Sequence, residues 1–154
     1  MIDAILLRAA GQANLGADIV VQCSGGVAGI RHVVSLAPDG RLTRSERGDR
    51  TPQPVGRIPP AKVKALAARL NKVSFATLVD LPRNTQIRDG IDCAITRTGL
   101  RTHTLRLWAG SRRAEAQDAL RYGEVRTVMS AVFGAADRDR LNPQPISPVD
   151  VPVK

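Results

Sequence analysis

β-branched runs and alternating apolar positions predict β-strands in two parts of this chain. The β-branched segment 18–23 and the segment 30–36 are joined by a Gly-rich loop, which is typical of an antiparallel hairpin. A second hairpin is predicted for residues 91–108. Counting with a period of two places three residues on one face of its first strand: Ile91, Cys93 and Ile95.

Apolar residues at helical spacing predict two helices. The first opens at Pro59-Pro60, where proline is tolerated, and ends near Phe75. Its apolar stripe consists of Val63, Leu66, Ala67, Leu70 and Val73. The second runs from about residue 114 to 135, with the stripe Ala116, Ala119, Leu120, Val128, Met129, Val132 and Phe133. The order β-β-α-β-β-α predicts an α+β domain: an antiparallel sheet of about four strands with two helices packed on one face.

The chain of 154 residues suits one domain. We expect residues 1–17 to be a flexible leader and residues 18–136 to form the domain. Four prolines after residue 142 predict a disordered tail over 137–154. The polar, Arg-rich stretch 41–57 is predicted to be a loop or linker, with at most a short edge strand at its start.

Composition excludes several classes of protein. No apolar run approaches the roughly 20 residues that span a bilayer, and the N-terminus lacks the basic region of a secretion signal. Two cysteines do not make a disulfide scaffold, so we expect a cytoplasmic protein with both thiols reduced. The net charge of +9 favours anionic partners, although genomic base composition explains an Arg-rich chain equally well.

Catalytic motifs are absent from the sequence, which has two His and three Glu. There is no His-Glu-x-x-His, no Gly-x-Ser-x-Gly and no P-loop lysine. Ser24 and His32 would make a dyad beside the Gly-rich loop, but no carboxylate is placed to orient the His. We therefore expect no catalytic residues and a protein that is not an enzyme.

One set of residues deserves a metal hypothesis, because zinc accepts two Cys and two His. The set consists of Cys23, His32, Cys93 and His103, one Cys and one His in each predicted hairpin. Eight and nine intervening residues separate the pairs, unlike the short spacings of zinc knuckles. Buried core roles explain these residues as well, and we expect no metal and no cofactor.

A basic patch is predicted around the second hairpin, formed by Arg97, Arg101, Arg106, Arg112 and Arg113. Such a patch is compatible with a non-catalytic binding module for nucleic acid or an acidic protein, whose affinity would fall steeply with salt. Only Trp108 is available nearby for base stacking, so we do not expect nucleic acid. The interpretation that we favour is a solvated hairpin edge that discourages strand addition.

The stretch Cys23-Ser24-Gly25-Gly26-Val27-Ala28-Gly29-Ile30-Arg31 resembles the opening hairpin of emfourin-type proteins, the protealysin-inhibitor family. The order of the later elements, with a Leu81-Pro82 connection, is similar to that family over residues 18–135. The resemblance implies a proteinaceous inhibitor of a thermolysin-like zinc metalloprotease. Val27 departs from the family pattern, which more often has an aromatic residue there.

The resemblance also implies where the partner binds: at Ser24, Gly25, Gly26, Val27, Ala28 and Gly29. A Gly-lined hairpin lets another backbone approach closely, and Val27 is the only sizeable side chain at its tip. The competing interpretation is that this stretch is a fold signature and that another surface contacts the partner.

Overall fold

The computed structural model describes residues 19–46, 49–81, 90–99, 101–108 and 118–141. In these residues the chain forms six strands and two α-helices. In chain order they are β1 (Ile19–Gly25), β2 (Ile30–Leu36), β3 (Arg41–Glu46), β4 (Gln53–Arg57), α1 (Pro60–Lys72), β5 (Ile91–Arg97), β6 (His103–Leu107) and α2 (Ala119–Leu141). A single 3-10 turn, Phe75–Thr77, follows α1.

The strands form one antiparallel sheet in the order β4-β3-β2-β1-β5-β6. The predicted α+β class and both predicted hairpins are confirmed, but the sheet has six strands rather than about four. Strand β1 lies in its interior and pairs over its full length with β2 on one side and with β5 on the other. The second pairing joins parts of the chain about 70 residues apart, so it sets how the two hairpins meet.

The two additional strands lie in the stretch 41–57, where the prediction of a linker was wrong. Strand β3 continues from β2 through a tight turn, and β4 pairs with β3 at the edge of the sheet. Pro54 and Gly56 interrupt any strand-like pattern in β4, and a bulge shifts its register. An edge strand tolerates proline because its outward N–H groups need no partner in the sheet.

One face of the sheet is apolar and packs against both helices. The fully buried side chains on this face alternate along their strands, as period-two geometry requires: Ile19, Val21, Val34, Leu36, Leu42, Ile95, Leu105 and Leu107. Helix α1 adds Val63, Leu66 and Leu70, which confirms its predicted stripe. Together these residues and the buried side of α2 form one continuous core.

Helix α2 differs from its prediction in two respects. Val128, Met129 and Val132 of the predicted stripe are buried, and Tyr122 and Val125 join them, but Leu120, predicted to be apolar core, is 87% exposed. The helix continues past the predicted domain boundary at residue 136 and ends at Leu141. Ala116, the predicted leader 1–17 and the rest of the predicted tail lie outside the described residues.

In the described part of the chain, no helix has both the length and the apolarity to span a membrane.

The turn between β2 and β3 depends on a glycine that lies against the chain entering α1. Gly40 has a φ of +93°, and its carbonyl accepts a hydrogen bond of 2.9 Å from the Ile58 backbone N–H. A Cβ atom at this position would lie 1.9 Å from the Ile58 carbonyl oxygen. A side chain at position 40 would therefore be strained by the positive φ and would clash with the Ile58 backbone.

We predict that Gly40→Ala lowers the free energy of unfolding by about 2 kcal/mol or more, because the clash involves backbone and the φ is strained. Chemical denaturation measures the change. Gly123→Ala is the matched control: nothing lies within 4 Å of an added Cβ in α2, so alanine should raise stability by up to about 1 kcal/mol. Equal effects of the two substitutions would contradict this assignment of the turn.

Candidate functional site

The Gly-rich stretch forms the turn at one end of the β1–β2 hairpin. Ser24 and Gly25 are the last residues of β1, and the Gly29 backbone N–H donates to the Gly26 carbonyl across 3.1 Å. Val27 and Ala28 are therefore the central residues of a tight turn. The flanking positions need positive φ, with +75° at Gly26 and +59° at Gly29, which explains the glycines on both sides.

This turn presents an apolar side chain directly to solvent. Val27 is 89% exposed, and Ala28 beside it is also exposed. Among the described residues, three other large apolar side chains are exposed: Val79, Ile91 and Leu120. Because exposure of an isolated apolar residue is common, the position of Val27 at the tip of a constrained turn matters more than its exposure alone.

The start of β5 lies beside this turn, a feature that sequence reasoning missed. The Gly26 backbone N–H donates to the Gly90 carbonyl across 3.3 Å. A Cβ atom on Gly25 would lie 2.6 Å from the same oxygen, so the two backbones approach as closely as glycine permits. Ile91 follows, 49% exposed, opposite Gly25 in the β1–β5 register. Only that register, which the sequence does not reveal, brings Gly90 and Ile91 to the tip.

A disulfide joins β1 to β5 immediately below the tip. Cys23 and Cys93 are directly opposite each other in the two strands, and their sulfurs are bonded. The expectation of two reduced thiols is therefore corrected. The close approach of opposed residues in an antiparallel pair, 4.1 Å between these Cα atoms, brings the two side chains together.

The disulfide also removes the proposed zinc ligands. All four candidate residues lie on the same face of the sheet, but sulfurs bonded to each other are not thiolate ligands. His32 Nδ1 lies 2.8 Å from an Arg44 guanidinium nitrogen, and His103 Nε2 lies 3.0 Å from the Leu78 carbonyl oxygen. Within the described residues, no group of three or more His, Cys, Asp or Glu side chains is placed to hold a metal ion.

The Ser24–His32 dyad is not assembled either. Ser24 is opposite Arg31, whereas His32 is opposite Cys23, so the two side chains project from opposite faces of the sheet. Ser24 instead borders a shallow hollow on the face of the sheet opposite the two helices, with Asp92, Arg106 and Trp108 among its neighbours.

His32 belongs to a charged cluster at the core-facing side of β2 and β3. Arg44 is the one buried charged residue of the described chain, and its guanidinium contacts both the Asp137 carboxylate of α2 and Glu46, the latter at 3.0 Å. A buried cation requires such partners. The contact attaches the distal half of α2 to β3, so we assign this cluster a structural role.

The predicted basic patch does not form one surface in the described residues. The Arg97 guanidinium contacts the Asn71 side chain and lies 3.5 Å from the Ala67 carbonyl oxygen, both in α1. Arg106 binds the Asp80 carboxylate through its backbone N–H at 2.8 Å and its guanidinium at 3.2 Å. Arg101 is exposed. Arg112 and Arg113 lie outside the described residues.

Compared with known proteins, this chain matches no protein-family model, no curated protein and no solved structure.

We predict that removal of the disulfide weakens but does not abolish the fold. Cys23 and Cys93 are 70 residues apart in sequence, and a cross-link over such a loop contributes about 2–4 kcal/mol by restricting the unfolded chain. Denaturant titration of oxidised and reduced protein should show that difference in the free energy of unfolding. An unchanged midpoint would contradict the presence of this bond in the oxidised protein.

Proposed function

We propose that this chain is a proteinaceous inhibitor of a thermolysin-like zinc metalloprotease and that it binds by its Gly-rich hairpin tip. The observation that carries the proposal is that Val27 is exposed to solvent on a turn whose conformation is held in place. An exposed apolar side chain stands on a turn held by the Gly26–Gly29 hydrogen bond, by β5 and by the disulfide. A group held in one conformation loses little entropy when it enters a cleft.

The chemistry of the tip suits insertion into an apolar pocket. No charged residue occurs from Ser24 to Ile30, so the tip enters a protein cleft without the cost of desolvating an ion. The glycines on both sides of Val27 carry no side chains and allow close contact with another backbone. In this proposal the residues that contact the partner are Ser24, Gly25, Gly26, Val27, Ala28 and Gly29.

The remaining properties fit a binding protein rather than an enzyme. We propose that the net charge of +9 steers the domain towards an acidic protease surface and speeds the encounter, whereas the neutral tip supplies specificity. The Cys23–Cys93 disulfide is typical of proteins in oxidising compartments, which argues against the cytoplasmic location expected from two reduced thiols.

A basic module for nucleic acid or an acidic protein is the alternative function. The structure gives it less support, because Arg97 and Arg106 are engaged by groups of the chain itself. Of the other residues of the predicted patch, Arg101 is exposed, and Arg112 and Arg113 lie outside the described residues.

We predict that Val27→Asp weakens inhibition of a thermolysin-like protease by about thirtyfold or more, the change expected for a residue at the centre of an interface. The charge would be buried without a partner in an apolar pocket. Inhibition constants measured with the full oxidised chain test this. Val79→Asp is the matched control, because Val79 is a 70% exposed valine in the connection after α1.

Arg112→Ala should change the same constant by less than Val27→Asp. Equal effects of Val27→Asp and Val79→Asp, or no inhibition by the unsubstituted protein at micromolar concentration, would overturn the proposal.

A further inference from the structure

Two segments from distant parts of the sequence meet at the hairpin tip and offer apolar side chains to solvent. Val27 belongs to the β1–β2 turn and Ile91 to the start of β5. A methyl group added to Gly26 would lie 3.7 Å from Ile91 Cγ1, so Ile91 borders the base of the turn. We call Val27, Gly26, Gly90 and Ile91 the two-segment tip.

Above the disulfide, the contact between the two segments relies on backbone. The Gly26 N–H···O=C Gly90 hydrogen bond is 3.3 Å long, and Gly25 carries no side chain to pack against β5. Ser24 and Gly25 are the only residues between Cys23 and Gly26. The disulfide is therefore the nearest covalent constraint on the spacing of the two-segment tip.

We infer that the Cys23–Cys93 disulfide holds Val27 and Ile91 together as one contact surface, and that its reduction by a dithiol weakens binding while the domain stays folded. The inference rests on the proposed function, since the partner is the same protease. It adds Ile91 to the residues that contact the protease. It also makes the affinity for the protease depend on whether Cys23 and Cys93 are oxidised.

The reduction step is an ordinary thiol–disulfide exchange. A dithiol attacks the Cys23–Cys93 bond, and two electrons and two protons pass to the cysteines. The products are two thiols in this chain and a disulfide in the reductant. Both cysteines are only half-buried, so the bond is not sealed within the core.

The consequences of reduction should be confined to the end of the sheet. Unbonded sulfurs need a full van der Waals contact, so the thiols rotate apart or the strand ends separate. Further along the same strands, Ile19, Val21 and Ile95 are fully buried and hold β1 and β5 together within the core. Reduction then loosens the tip and leaves the rest of the pairing in place.

The first experiment compares binding by three forms of the full chain: oxidised, reduced with dithiothreitol, and the double variant Cys23→Ser/Cys93→Ser. The probe is a thermolysin-like protease. A matched control exposes the protease alone to the same dithiothreitol concentration. We expect the reduced chain and the double variant to bind at least tenfold more weakly, and reoxidation of the reduced chain to restore affinity. Equal affinity of the oxidised and reduced chains would overturn the inference but not the proposed function.

A second measurement needs no partner. Amide hydrogen exchange should become at least tenfold faster at Gly26 on reduction, while the amide of Val21 in the core remains protected. Exchange at Gly26 that does not change would overturn the inference. Loss of protection at Val21 would show that the domain unfolds, which also overturns it. No binding by any form would overturn the proposed function, and the exchange result would still decide whether the disulfide holds the tip.

Ile91 is tested separately by Ile91→Asp in the oxidised chain. We expect at least tenfold weaker binding, against little change for Val79→Asp. Unchanged binding by Ile91→Asp would remove β5 from the contact surface.

Discussion

The pairing of β1 with β5 is the constraint on which the rest of this structure depends. It joins a four-strand meander, β4-β3-β2-β1, to the β5–β6 hairpin, and it is the place where the sheet becomes continuous. The same register puts Ile95 beside Val21 in the core and Cys93 beside Cys23. Because side chains alternate along a strand, a shift of one residue would send all of these to the face opposite the helices.

The candidate site follows from the same register. Strand β1 ends in the turn that carries Val27, and β5 begins where its backbone supports that turn. The disulfide links the strands near this end, and glycine at position 25 permits the close approach of Gly90. A neutral tip thus stands on a basic domain, in which several arginines serve the fold, as Arg44 and Arg97 show.

The hairpins and helices were predictable because their signals are local: β-branched residues in β1 and β2, alternation in β5, and a helical stripe after Pro60. The sequence suggested only a short edge strand at β3, because Arg44 occupies a core-facing position. That position is explained by the carboxylates of Glu46 and Asp137 around it. The sequence did not predict the disulfide or the role of Ile91, for another reason. Both depend on a pairing between residues about 70 positions apart, and nothing in the local pattern specifies that register.

The most direct test of the central claim is competition for the protease cleft. A thermolysin-like protease would be titrated with the oxidised full chain in the absence and presence of a saturating small inhibitor that occupies the active-site cleft. If the hairpin tip enters that cleft, the small inhibitor excludes the chain, and the apparent dissociation constant of the chain rises in proportion to inhibitor concentration. A dissociation constant that does not change, with both bound at once, would contradict the account.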